Sequence, residues 1–177
     1  MTVRLLLLLA MATVLGTAAG CSDDDPAALP PETFARFEYG IRLSITCRRS
    51  TVRLTDSMPP KTVSTPLDLA RAWRAEAVRL DRELRSERFE GFQAVGAGDL
   101  LAASDSLKNA LGAMTRALRT SGAERREELR KASEVVRSSG ARMRDVGTRL
   151  DANACRRVDA WAESYVLPGI ERVARAS

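Results

Sequence analysis

Residues 122–161 read GAERREELRKASEVVRSSGARMRDVGTRLDANACRRVDAW, and their periodicity decides the fold class. Leu129, Val136, Met143 and Leu150 recur every seven residues, while Ala132, Gly140, Val146, Gly147 and Ala154 fill the adjoining positions, so large and small side chains alternate on one helical seam. Glycine costs about 1 kcal/mol relative to alanine inside a helix, so Gly140 and Gly147 on that seam predict close approach by another helix. The pattern continues through Val158 and Trp161. It predicts one helix from about Gly122 to Tyr165, roughly 65 Å long at 1.5 Å per residue. Ser138-Ser139-Gly140 leaves a second reading open, a break or kink at that point.

Working outward toward the N-terminus, Ser121-Gly122 separates this helix from one carrying Leu100, Ala103, Leu107, Leu111, Met114 and Leu118, with Asp99 as its expected N-cap. Gly91, Gly96 and Gly98 mark the turn before it; without a preceding strand or a following Lys-Ser/Thr pair they do not form a phosphate loop. Thr65-Pro66-Leu67-Asp68 signals an earlier helix start, with a capping hydroxyl, proline in the first turn and an acid at the positive helix end. Leu69, Ala70, Trp73, Ala77, Leu80 and Leu84 share one face of that helix, predicted to run to about Phe89. Its flank carries Arg71, Arg74, Arg82 and Arg85, a candidate basic interaction face, although Glu76, Glu83 and Glu87 in the neighbouring sector favour an ordinary amphipathic surface.

Earlier still, after Pro30-Pro31, Phe34, Phe37, Ile41 and Ile45 recur at spacings of three and four and line one helical stripe, with Cys47 near its end. Whether the helix extends through Val52 and Leu54 stays open, and a loop follows from Met58 to Ser64. At the other end, Leu167-Pro168-Gly169 is expected to break the chain before a short terminal turn or helix. The expectation is an all-α fold: an antiparallel bundle of about four helices with a long C-terminal helix, occupying residues 32–177 as one domain. The second and third helices should form a hairpin against the first part of the fourth, with the N-terminal helix beside its distal part.

The composition suits a folded chain with an Ala-, Leu- and Val-rich core: 45% of the 177 residues are apolar and 5% aromatic. The formal charge is +5 from 28 basic and 23 acidic residues, and only Lys61, Lys108 and Lys131 of the basic set are lysines. Such an arginine bias follows from GC-rich coding and is not by itself a sign of phosphate binding. Histidine is absent. That removes the commonest general base, the usual catalytic triads, imidazole haem ligation and the Glu-x-x-His motif of di-iron bundles. No Ser-x-x-Lys occurs and no carboxylate pair stands out, so neither an enzymatic role nor a metal or other cofactor is expected. Trp73 and Trp161 read as core anchors, a ligand-facing aromatic being the rival; Met114 and Met143 read as core filler.

At the N-terminus, Met1 to Arg4 give a short positive region and Leu5 to Leu15 an apolar run of signal-peptide length, about half of what spans a bilayer. Thr17-Ala18-Ala19-Gly20-Cys21 then sets small residues before a cysteine. Here the chain resembles bacterial lipoproteins, which are cut just before a cysteine that carries diacylglycerol; Ala18 stands where family members most often have Leu. An ordinary secretory signal with Cys21 incidental is the alternative reading of the same residues.

The resemblance divides the chain into a signal peptide (residues 1–20), a lipidated cysteine with an acidic, proline-rich tether (21–31) and the helical domain. It implies an extracytoplasmic protein held at the membrane through lipid on Cys21. With Cys21 set aside, Cys47 and Cys155 remain in an oxidising compartment, where an even remainder is normally a disulfide; two free thiols are the alternative. Export argues against nucleic acid as a partner. The expected function is that of a cell-envelope interaction or scaffold module whose partner is an envelope protein or an anionic envelope polymer. The alternative is a binding module enclosing an apolar or amphiphilic ligand between its helices.

Overall fold

Thr65 shows how directly local chemistry sets one helix. Its backbone is extended, its hydroxyl accepts from the Asp68 amide at 3.2 Å, and Pro66 occupies the first turn. The computed structural model describes residues 31–56, 65–87 and 96–175. The proposed signal peptide, Cys21, the tether as far as Pro30 and the Met58–Ser64 loop lie outside these residues, while Pro31, expected in the tether, begins the first helix. Helix α1 is Pro31–Asp56, α2 Pro66–Ser86, α3 Ala97–Ala117 and α4 Gly122–Arg149. A fifth helical run, α5, comprises a 3-10 turn Asn153–Cys155, an α-helix Arg156–Trp161, a π-helical turn Ala162–Val166 and an α-helix Leu167–Arg175. The described residues contain no strand. The fold is therefore the expected all-α bundle, with five helices and a C-terminal helix of 23 residues.

The extra helix comes from a break in the segment expected to run unbroken from Gly122 to Tyr165. It continues past Ser138-Ser139-Gly140 and ends at Arg149. Asp151 takes a positive φ of 57°, and the Ala152 amide closes the helix end on the Gly147 carbonyl at 2.7 Å. The chain then folds back along α4. Gly147 faces Cys155 and the Ala152 carbonyl, where a Cβ would stand 2.9 and 3.0 Å away; at Gly140 a Cβ would meet Asp159 Oδ1 at 2.9 Å. The two seam glycines therefore make the close approach read from sequence, and the approaching element is the continuation of the same chain.

Three departures from the sequence reading have local causes, and one open reading is settled. Gly96, with φ of 102°, is the N-cap of α3 in place of Asp99, which lies in the first turn. Helix α2 stops at Ser86, short of Phe89, and Ser86 Oγ turns back to donate to the Glu83 carbonyl at 2.7 Å. The π-helical turn at Ala162–Val166 resets the hydrogen-bond register just ahead of Pro168, so α5 continues through Pro168-Gly169 where a break was expected. Helix α1 runs through Val52 and Leu54 to Asp56, and within it Thr51 and Thr55 donate their hydroxyls to the Cys47 and Thr51 carbonyls four residues back, each at 2.8 Å.

Cross-helix pairs fix the topology. Arg53 reaches Glu76 and Glu83 across α1 and α2, Lys108 reaches Asp81 at 3.0 Å across α2 and α3, and Arg149 reaches Asp99 at 3.5 Å across α3 and α4. Arg144 reaches Asp159 at 2.7 Å and Arg137 reaches Glu163 at 3.6 Å across α4 and α5. Each pairing is antiparallel, so α1 and α5 run in the same direction and pack side by side. The N-terminal helix thus lies beside the segment after the break, as expected of the distal end, and also against α2.

Trp73 and Trp161 sit in the core, each about 1% exposed, with ring centroids 5.9 Å apart in an edge-to-face arrangement. They are core anchors, as read from sequence. Gly169 fits over the Trp73 ring, where a Cβ would lie 3.3 Å from Cη2.

Gly40 marks the tightest contact of α1. A Cβ there would collide with the Leu150 carbonyl oxygen and lie 3.3 Å from Asp151. Gly98, by contrast, faces open space. Gly40→Ala is expected to destabilise by about 1–3 kcal/mol through overpacking, whereas Gly98→Ala should stabilise by roughly 0.5–1 kcal/mol through lower unfolded-state entropy. Urea unfolding of the two variants checks this; equal effects would contradict the packing at Leu150.

Candidate functional site

Two features of α1 face opposite ways. Its inner face buries Tyr39, Leu43, Thr46, Cys47, Ser50 and Leu54 against α2 and the start of α5. Cys47 and Cys155 are both fully buried and joined by a disulfide, with their Cα atoms 4.9 Å apart. Around the bond, Arg36 donates to the Arg149 carbonyl at 2.8 Å and pairs with Asp151 at 3.7 Å, while the Ala154 amide donates to Ser44 Oγ at 3.4 Å. Small residues at positions 40, 44 and 47 let the helix backbone lie against the turn after α4.

The outer face carries the stripe Phe34, Phe37, Ile41 and Ile45. The stripe is present, but it is not the face on which the bundle packs: these residues are 42% to 58% exposed, and Val52 prolongs the row at 44%. At 100° per residue they fall within a narrow sector directly opposite Leu43, Ser50 and Leu54. An open groove of about 410 Å³ runs along this face between Ile45, Arg48, Arg49, Val52 and Arg53. A second, of about 320 Å³, lies where Ile41, Ile45 and Arg48 of α1 meet Asn153, Ala154, Arg156 and Arg157 of α5. Arg48, Arg49, Arg156 and Arg157 are exposed, and among the described residues none of them is in an ion pair.

The four arginines singled out on α2 are placed differently. Arg71, Arg74, Arg82 and Arg85 are all exposed on one flank. Arg71 pairs with Asp68 at 3.1 Å, and Arg85 pairs with Asp81 at 3.1 Å and Asp105 at 3.7 Å. Arg74 lies against Gly112, where a Cβ would stand 3.4 Å from its Nε. Three of the four are thus occupied by local acids or helix packing. The buried Asp81 carboxylate also takes Lys108, whose ammonium bridges to Asp105. Hydrogen bonds with Asp105 and Asp81 raise the Lys108 pKa, and the hydrogen bond from Lys108 lowers that of Asp105. At Arg53, burial acts to lower the pKa, but hydrogen bonds to Glu76 and Glu83 outweigh it. These networks join helices, and Arg53 also borders the open groove along the outer face of α1.

Among the described residues, no group of three or more His, Cys, Asp or Glu side chains is placed to hold a metal ion, and no helix is long and apolar enough to cross a membrane. Among known proteins, no family model, curated protein or solved structure matches this chain. Sequence reasoning singled out the arginines of α2 and did not single out those of α1 and α5. The signal for the latter was the pair Arg48-Arg49 following directly on the apolar stripe, and Arg156-Arg157 directly after Cys155. A disulfide between those cysteines brings both pairs to one place.

Proposed function

We propose that this chain is a lipoprotein of the extracytoplasmic face of a bacterial membrane, and that its helical bundle is a non-catalytic interaction or scaffold module of the cell envelope. The observation that carries this reading is the run of small residues Thr17-Ala18-Ala19-Gly20 ending at Cys21 directly after an apolar segment of signal-peptide length. The disulfide adds support, because a structural bond between Cys47 and Cys155 suits an oxidising compartment. So does the cysteine arithmetic, which leaves Cys21 alone free for acylation. An envelope protein or an anionic envelope polymer is the partner class that the exposed arginines favour. The rival reading, an apolar ligand between the helices, has to displace the Trp73–Trp161 pair, which already fills the space between α2 and α5.

Mass spectrometry of protein recovered from expressing cells tests this reading. The expected result is a chain beginning at Cys21 with the added mass of diacylglycerol, partitioning with membranes. Cys21→Ser should abolish the added mass and shift the protein to the soluble fraction. Recovery of wild-type soluble protein with an unmodified Cys21 would overturn the proposal.

A further inference from the structure

The outer face of α1 presents large apolar side chains to solvent although the same helix has a complete inner face for the bundle. Phe34, Phe37, Ile41 and Ile45 form a continuous row of about 17 Å along the helix at 1.5 Å per residue, with Val52 on the same face beyond Arg48. Isolated exposed hydrophobic residues need no explanation; a continuous row bordered by charge marks a contact surface. The border is basic: Arg48 and Arg49 flank the row on α1, and the disulfide holds Arg156 and Arg157 beside it. The acids nearest the row are committed, Glu38 to Arg42 at 2.7 Å and Asp151 to Arg36.

We infer that this face docks on an anionic membrane surface, with the apolar row among the upper acyl chains and Arg48, Arg49, Arg156 and Arg157 on the headgroup phosphates. The inference rests on the lipoprotein reading of Cys21. Phe34 follows Cys21 by thirteen positions, and a chain of that length spans at most about 45 Å. Acylation at Cys21 therefore keeps the row within reach of the bilayer and raises its effective concentration there. Phenylalanine and isoleucine on one side of a helix with arginine at the margins is the composition of an interfacial amphipathic surface, where the guanidinium groups stay at headgroup level. Other occupants meet only half of the face. A soluble polyanion satisfies the arginines and leaves the row in water, and a second copy of the chain covers the row but brings more arginine in place of counter-charge.

The test uses protein recovered from the envelope and reconstituted into phosphatidylcholine vesicles with or without phosphatidylglycerol, each containing a photoactivatable phospholipid. Lipid adducts are mapped by peptide mass spectrometry, and the mass at Cys21 is read in the same spectra. The α1 peptides should carry about tenfold more adduct than peptides lining the Ala110, Ala113 and Val135 groove between α3 and α4, and adduct should fall when phosphatidylglycerol is omitted or salt is raised toward 1 M.

Ile41→Ser with Ile45→Ser should reduce α1 labelling about tenfold with an unchanged unfolding midpoint, since both side chains are already exposed. Arg48→Glu with Arg49→Glu should remove the dependence on phosphatidylglycerol. Equal labelling of both faces with lipid present on Cys21 overturns the docking face while sparing the anchor. Enriched α1 labelling without lipid on Cys21 supports the docking face and overturns the anchor. Sedimentation of the protein as a dimer, with α1 free of lipid adduct, assigns the face to self-association and overturns the inference.

Discussion

Replacing Cys47 and Cys155 together by alanine is expected to lower the unfolding free energy by about 4 kcal/mol. The bond closes a loop of 108 residues containing α2, α3 and α4. On the chain-entropy model a loop of that size restricts the unfolded ensemble by about 4.7 kcal/mol, and residual unfolded structure reduces the figure. The ion pair between α1 and the turn before α5 cannot replace it. Arg36–Asp151 is exposed on both sides and contributes about 1 kcal/mol at most.

For a chain of this size the loss corresponds to a fall in melting temperature of about 10 °C or more. Calorimetry with and without reductant checks it. Reductant should reproduce the double variant in the wild type and do nothing further to the variant. A difference below about 1 kcal/mol would mean that the native helices hold the corner unaided.

Trp161→Ala should cost about 3–5 kcal/mol, and Trp73→Ala a similar amount. Each indole is essentially fully buried, and each forms part of the wall against which the other packs. Their edge-to-face contact should appear in a double-mutant cycle as a coupling of about 0.5–1.5 kcal/mol. Neither indole N–H meets an acceptor among the described residues. Trp161→Phe removes that buried donor along with part of the ring, so it should be much milder than Trp161→Ala. Urea denaturation of the four variants decides the matter. A Phe variant as damaged as the Ala variant would show that the N–H is engaged in the folded protein.

The parts of this fold that local chemistry dictates were legible in the sequence. Thr65-Pro66 starts α2, the seven-residue recurrence through Leu129, Val136 and Met143 makes α4, and the cysteine count pairs Cys47 with Cys155. The end of α4 was not legible. Leu150, Ala154 and Val158 keep the apolar spacing on both sides of the turn, and the signal for reversal is only Asp151, a residue type that tolerates positive φ. The packed face of α1 was equally hidden. Ranking by hydrophobicity selects Phe34, Phe37, Ile41 and Ile45, yet close approach to the Leu150 turn needs Gly40, Ser44 and Cys47. At the Leu150 turn small size decides which side goes inward, and Leu43 and Leu54 are buried on the same side. The basic margin of the outer face joins residues 48–49 to 156–157, a proximity that exists only after the chain has folded back.

The position of the disulfide also has a mechanical consequence. A pull applied at the start of α1 and resisted beyond Cys155 travels from Pro31 to Cys47, crosses the covalent bond and continues into α5. The intervening loop hangs from that path without carrying load. In the oxidised protein, roughly 350 Å of potential extension is locked away at about 3.3 Å per residue. Stretching can peel the first turns of α1 or the body of α5, while α2, α3 and α4 stay slack. Reduction would place that hidden length in series with the applied force, turning a short, stiff linkage into a long, extensible one.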